Sequence, residues 1–206
     1  MPRVSAEHMQ ARRDQIARAA VDQFSLRGIH STSMANIIEA SGLSSGAIYT
    51  HFASKDEIIG HVARTAIDGV FASIRGLLDA NPLPSPRELI ALIAVRIGQA
   101  DVSSGFIVQV WGEAATNATV RQTANEVYAH ALDFLREYVT VWLTTSQGIE
   151  LRRAREQAPA QARLLIGLVY SYILQDALIE DHDDNTFVAD VAALLPPSGG
   201  TPAAAG

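Results

Sequence analysis

Ser44-Ser-Gly-Ala-Ile-Tyr-Thr-His51 places small and hydroxyl-bearing residues along a short helix, and shortly beyond it stands Lys55, the only lysine in the chain. Ser44, Ser45, Gly46, Ala47, Thr50 and His51 fall at its outward positions. Side chains of this kind let a helix backbone approach a duplex closely, with hydroxyls reaching phosphates or base edges and methyl groups touching thymine. The same residues also suit a Ser/Gly-rich turn between packing helices, because helix-turn-helix shapes occur without nucleic-acid function. Spacing alone leaves both readings open.

The elements that would hold these residues read almost entirely as helix. From Arg12 to Arg27, Ile16, Ala20 and Phe24 follow the helical period, and Gly28 stands where a left-handed residue would end the helix. Short helices are expected over 33–40 and 45–51, separated by Ser41-Gly42-Leu43-Ser44, with Ile37, Ile38, Leu43, Ile48 and Phe52 fixing their crossing. Ser54 and Glu57 form a capping-box pattern that opens a long amphipathic helix carrying Ile58, Val62, Ile67, Phe71 and Ile74. A proline-rich linker over 81–86 leads to Ser85-Pro-Arg-Glu88, another helix start. Further helices are expected over 106–115, over 117–145, from Pro159 to about Glu180, and over 187–195. The stretch Leu164–Leu174 is apolar all round, so one side should face its own core and the other a second subunit. No strand and no repeat stands out. The expectation is an all-α fold of about nine helices, with a head over 1–55, a bundle over 56–195 and a disordered tail over 196–206.

Composition narrows the function classes. The 206 residues include 48% hydrophobic and 18% charged side chains, which suits a packed core rather than disorder. There are no cysteines, so disulfides, thiolate nucleophiles and cysteine-ligated zinc are excluded, and a reducing compartment, by default the cytoplasm, is expected. The longest apolar run is too short to span a bilayer. The net charge of −6 is uneven: the first 55 residues hold six basic and four acidic side chains, leaving an acidic body behind a mildly basic head. The six histidines are scattered, and no HExxH, GxSxG or phosphate-loop pattern occurs, so no enzyme and no cofactor is expected. Glu126 and His130 read as an intrahelical ion pair rather than a metal site, and Asp181-His182-Asp183-Asp184 as a solvated helix end.

The run from Gly28 through Thr32-Ser33-Met34, Ile37, Gly42, Ser44, Gly46, Ile48-Tyr49, His51-Phe52 and Ser54-Lys55 resembles the DNA-binding signature of the tetracycline-repressor (TetR) family of bacterial regulators. It departs from that pattern at Asn36, where an acid is usual, and at Ile38 and Ser41, where alanine is usual. The resemblance implies that Ser33, Ser44, Tyr49, His51 and Lys55 grip phosphates, and that Ser45, Gly46, Ala47 and Thr50 face the bases. With no Arg, Asn or Gln on that helix, shape and methyl contacts should outweigh bidentate reading. Arg12 and Arg13 are either additional phosphate or minor-groove contacts or solvated side chains.

Such a regulator binds two-fold DNA sites as a dimer. The expected subunit interface is Leu165, Leu168, Val169, Tyr172 and Ile173 on the eighth helix with Phe187, Val191 and Leu194 on the ninth. The family also implies a pocket for a small, largely apolar effector, for which Phe106, Gln109, Trp111, Glu113, Tyr128, Phe134, Trp142 and Tyr170 are candidates. Glu113, if buried, would favour a cationic or hydrogen-bonding ligand. The reading is thus a ligand-released dimeric repressor, against the alternative of a helical adaptor or small-molecule-binding protein without DNA function.

Overall fold

The computed structural model describes residues 6–195. The expected tail over 196–206 lies outside the described residues. Among the described residues the fold is all-α: α1 (Ala6–Arg27), α2 (Met34–Ser41), α3 (Ser45–His51), α4 (Lys55–Arg75), α5 (Pro86–Gly98), α6 (Ser104–Thr116), α7 (Ala118–Thr145), α8 (Leu151–Leu178) and α9 (Asp184–Leu194), with a 3-10 turn over Gly76–Asp79. None of these helices is long and apolar enough to cross a membrane.

The helix starts are written in short-range chemistry. Ser33 caps α2, accepting from the Asn36 backbone N–H, and Asn36 Oδ1 accepts in turn from the Ser33 N–H at 2.9 Å. Asn36 therefore supplies the returning arm of a capping box without an acid. Ser44 caps α3 through the Ala47 N–H. At α4, Ser54 Oγ accepts from the Glu57 N–H, while Glu57 reaches back to the Ala53 N–H at 2.7 Å. Ser85 and Glu88 close the box expected at α5, with Pro86 as its first residue.

Two compact units divide the chain: residues up to Ala66 with Gly105–Val127, and Ile67–Ser104 with Tyr128 onward. In the first, Ile16, Ala20 and Phe24 of α1, Ile37 of α2, Ile48 of α3, and Ile58 and Ile59 of α4 are wholly buried. Phe106 of α6 stacks on Phe24 with ring centroids 5.6 Å apart. Gly60 of α4 lies so close to α7 that a Cβ there would meet Thr123 Oγ1 at 2.9 Å. In the second unit α5 packs against both α8 and α9. Phe71 of α4 meets Phe134 of α7 at 5.0 Å, and the buried Tyr138 donates to the Pro84 carbonyl at 2.6 Å.

The structure corrects two expectations about α8. The helix begins at Leu151, not Pro159, and Pro159 sits inside it. Ala154, Ala158, Ala162 and Leu165 form one buried stripe that holds both sides of the proline in a single helix. Proline removes the bond to the carbonyl four residues back, on Arg155, which is an exposed residue. The second correction is the phase of the apolar stretch. Leu165, Tyr172 and Ile173, expected at a subunit interface, are buried within the chain, as are Phe187 and Val191 of α9. Leu168 and Val169 are half-buried. The open face lies one position away, at Leu164 (73% exposed) and Leu178 (64%), while Leu194 on α9 is 68% exposed. A helix apolar on all sides carries no phase in its sequence, so only packing decides which stripe turns inward.

Replacing Tyr138 with Phe should leave the Pro84 carbonyl without its donor and lower unfolding free energy by about 1–2 kcal/mol in a urea titration, with the helical content of the folded state unchanged.

Candidate nucleic-acid interface

Gly42 ends α2 in the left-handed region at φ 68°, with its N–H on the Glu39 carbonyl, a conformation that disfavours residues bearing a Cβ. The departure at Ser41 has a physical account. Its buried hydroxyl donates to the Ile38 carbonyl at 2.9 Å and accepts from the Leu43 N–H at 3.3 Å, bracing the turn that alanine could not brace. On the other side, Gln15 of α1 donates to the Ser41 carbonyl at 2.9 Å.

The turn places α3 with its polar face in solvent. Ser44, Ser45, Gly46, Tyr49 and Thr50 are exposed, Ala47 and His51 half-buried, and Ile48 is wholly buried. Thr50 Oγ1 donates to the Gly46 carbonyl at 2.9 Å, which spends its hydrogen and leaves its methyl group and an acceptor lone pair free. His51 Nδ1 is shielded and makes no hydrogen bond. Ser33 is exposed, but both its N–H and its hydroxyl donate to Asn36 Oδ1, so a phosphate there must compete with the cap.

Lys55 is placed differently from expectation. Its Nζ donates to the carbonyls of Ile29 and Thr32, each at 2.9 Å, from the first residue of α4. The ammonium thereby clamps the connection between α1 and α2. Two of its three N–H groups are used, and a free phosphate-gripping lysine is corrected to one already engaged. The same connection is held from three other directions. Gly28 N–H closes onto the Phe24 carbonyl at 2.8 Å. The buried Thr32 hydroxyl lies 2.8 Å from the Gly28 carbonyl. Gln109 Oε1 accepts from the Ile29 N–H at 2.7 Å. Gln109, a pocket candidate in the sequence, is thus a brace for the head.

Arg13 was open between a DNA contact and a solvated side chain. It is neither: it donates to the His51 carbonyl at 2.7 Å and lies over the Phe52 ring at 4.2 Å. Its position, in helical register with Ile16, Ala20 and Phe24, carried that signal. Arg12 donates to Gln15 within α1. Asn117, at the start of α7, bonds Asp56 at 2.8 Å, a contact the sequence did not announce.

The other pocket candidates scatter. Phe106 and Phe134 are core residues, each against another phenylalanine. Trp111 and Glu113 are half-buried, and Glu113 lies 3.5 Å from the Asn117 amide. Tyr128 and Tyr170 form a half-buried pair at 6.0 Å, where burial and the neighbouring phenol push Tyr170 up to about 12. Trp142 is buried with an indole N–H that finds no acceptor.

Residues 16–62 match the sequence model described as bacterial regulatory proteins, tetR family. Over 85 residues the chain is 36% identical to the HTH-type transcriptional repressor KstR2 of Mycobacterium tuberculosis, covering 40% of this chain and 42% of that protein. It is 30% identical over 158 residues to the probable HTH-type transcriptional regulator ArpR of Pseudomonas putida, covering 77% and 63%. The chain thus spans less than two thirds of the length of these relatives. The fold matches Salmonella enterica GusR with a TM-score of 0.68 at 22% identity, over 94% of this chain and 99% of that one. Residues 16–62 thus form a head of the tetR type.

His61 of α4 lies 5.3 Å from Phe52, its Nε2 shielded and unpartnered. Burial first, then the charges of Arg13 and Arg64, hold it below its ordinary value of 6.5. Folding therefore favours the neutral ring. Its contribution is complete above pH 6.5 and is lost as the pH falls through the lowered value in the folded state. Melting temperatures measured from pH 7.5 downward should fall below about pH 6.5, and more gently in a His61→Gln variant.

Proposed function

We infer that the protein is a DNA-binding transcriptional repressor that recognises an inverted-repeat operator as a homodimer and is released by a small-molecule effector. The observation that carries this reading is the solvent-facing α3 surface of Ser44, Ser45, Gly46, Ala47, Tyr49 and Thr50, braced from behind by buried Ile48 and by Ser41 within a tetR-family head. Residues 1–55 serve as the DNA-binding part and 56–195 as the effector and dimerisation part. The cytoplasm, where such DNA resides, is the place of action.

On DNA, Ser45, Gly46, Ala47 and the Thr50 methyl face the bases, while Ser44, Tyr49 and His51 meet phosphates, with Ser33 following if its cap opens. Lys55 serves chiefly by fixing the α1–α2 connection. No transition metal or organic cofactor is needed for this role. The buried indole N–H of Trp142, which finds no acceptor, favours an effector that is largely apolar but offers a hydrogen-bond acceptor.

Two copies must present recognition helices about 34–36 Å apart, or a multiple of that distance. The open stripe of Leu164 and Leu178, with the half-buried Leu168 between them and Leu194 on α9, is the surface that a second copy would cover. Leu164→Glu should shift the protein to a monomer in sedimentation without lowering its melting temperature, whereas Ile173→Glu should unfold it.

Selection from random duplex DNA tests the reading itself. An inverted repeat should emerge with the wild type and weaken with Thr50→Ala. No enrichment at low salt, with a folded dimer in solution, would favour an adaptor without DNA function.

A further inference from the structure

Asp176 near the end of α8, His182 in the following turn and Asp184 at the first position of α9 each bring one ligand atom within 4.8 Å of the others. The two aspartates are exposed. The histidine is not: its side chain is only 8% exposed, and its Nε2 is shielded from solvent and makes no hydrogen bond. The nearest carboxylate oxygen, Asp184 Oδ1, stands 3.4 Å away, within ion-pair reach but without hydrogen-bond geometry. A buried imidazole nitrogen left this way is costly unless something else takes its lone pair.

The ring is also held in place. Tyr172 lies edge-on at 5.4 Å and Phe187 at 6.3 Å. The Tyr172 hydroxyl donates to Asp184 Oδ1 at 3.0 Å, orienting one of the carboxylates from behind, as outer-shell donors orient metal ligands. Asp181 and Asp183 do not share this arrangement. Asp183 is the α9 cap and spends its carboxylate on Thr186.

We propose that Asp176, His182 and Asp184 form a binding site for a divalent first-row transition ion of the zinc, cobalt or nickel type, linking the end of α8 to the start of α9. One imidazole nitrogen and two carboxylates leave a fourth position for water. The nitrogen ligand disfavours magnesium and calcium, which take oxygen ligands. The aspartates are on the solvent side and can turn inward to reach bonding distance, while the histidine is already fixed. The expected solvated helix end is thereby replaced by a cross-link between two helices that the sequence separates by a turn.

The test uses the full chain without an affinity tag, stripped with a chelator and titrated with cobalt chloride and zinc chloride. The expected result is visible cobalt absorption saturating at about one ion per chain, and a zinc-induced rise in melting temperature. Asp176→Asn and His182→Gln should each weaken binding by about tenfold or more and abolish that rise, whereas Asp181→Asn should leave both intact. Asp176 is exposed, so its variant decides the matter even if His182→Gln folds poorly. No binding by the wild type, or equal affinity in Asp176→Asn, would overturn the site and leave His182 and Asp184 as a simple ion pair.

Discussion

A lysine ammonium shared between two backbone carbonyls organises the head of this protein. The connection between α1 and α2 has no regular structure to satisfy its own carbonyls, and those of Ile29 and Thr32 would otherwise have to find water. Lys55 supplies donors to both from a helix start, where a cation alone is slightly unfavourable. Asp56 and Glu57 in the same turn offset that cost. Once the connection is fixed, Ser33 is placed to cap α2, Gly42 turns the chain, and Ser44 caps α3. The exposed surface of α3 is therefore set by a chain of local bonds that begins away from the surface itself.

A second set of contacts extends the head beyond the motif. Gln109 of α6 grips the Ile29 N–H, Asn117 at the start of α7 grips Asp56, and Phe106 stacks on Phe24. All three lie in the same compact unit as the motif, although Gln109 is 80 positions from Ile29 and Asn117 is 61 from Asp56, in the part of the chain that the sequence assigns to the body. Arg13 does the corresponding work from within α1, joining the end of α3 by a hydrogen bond and Phe52 by its charge. Polar side chains that reading by residue type assigns to DNA or to a ligand are here spent on holding backbone.

Much of this was legible in the sequence because it is local. The bounds of α3 follow from Ser44, the glycine turn and the buried Ile48, all within a few residues of one another. The capping boxes at Ser54 and Ser85 are equally short-range. What escaped depends on distant or symmetric information. Lys55 bonds carbonyls more than twenty positions away, and a carbonyl has no residue type to read. Gln109 bonds a backbone N–H for which the same holds. In α8 the apolar residues surround the helix, so hydrophobicity could not choose between the stripe through Leu165 and the stripe through Leu164. Pro159 reads as a helix start in isolation, and only the alanine stripe running past it places it inside.

The role of Lys55 can be separated from that of a phosphate contact by measuring affinity for the selected repeat across a range of salt, for the wild type and for Lys55→Ala. If the lysine holds the α1–α2 connection, Lys55→Ala should lower affinity by the same factor at every salt concentration, leaving the slope of log K against log salt unchanged. A slope shallower by about 1 in the variant would contradict that role and assign the charge to a DNA phosphate.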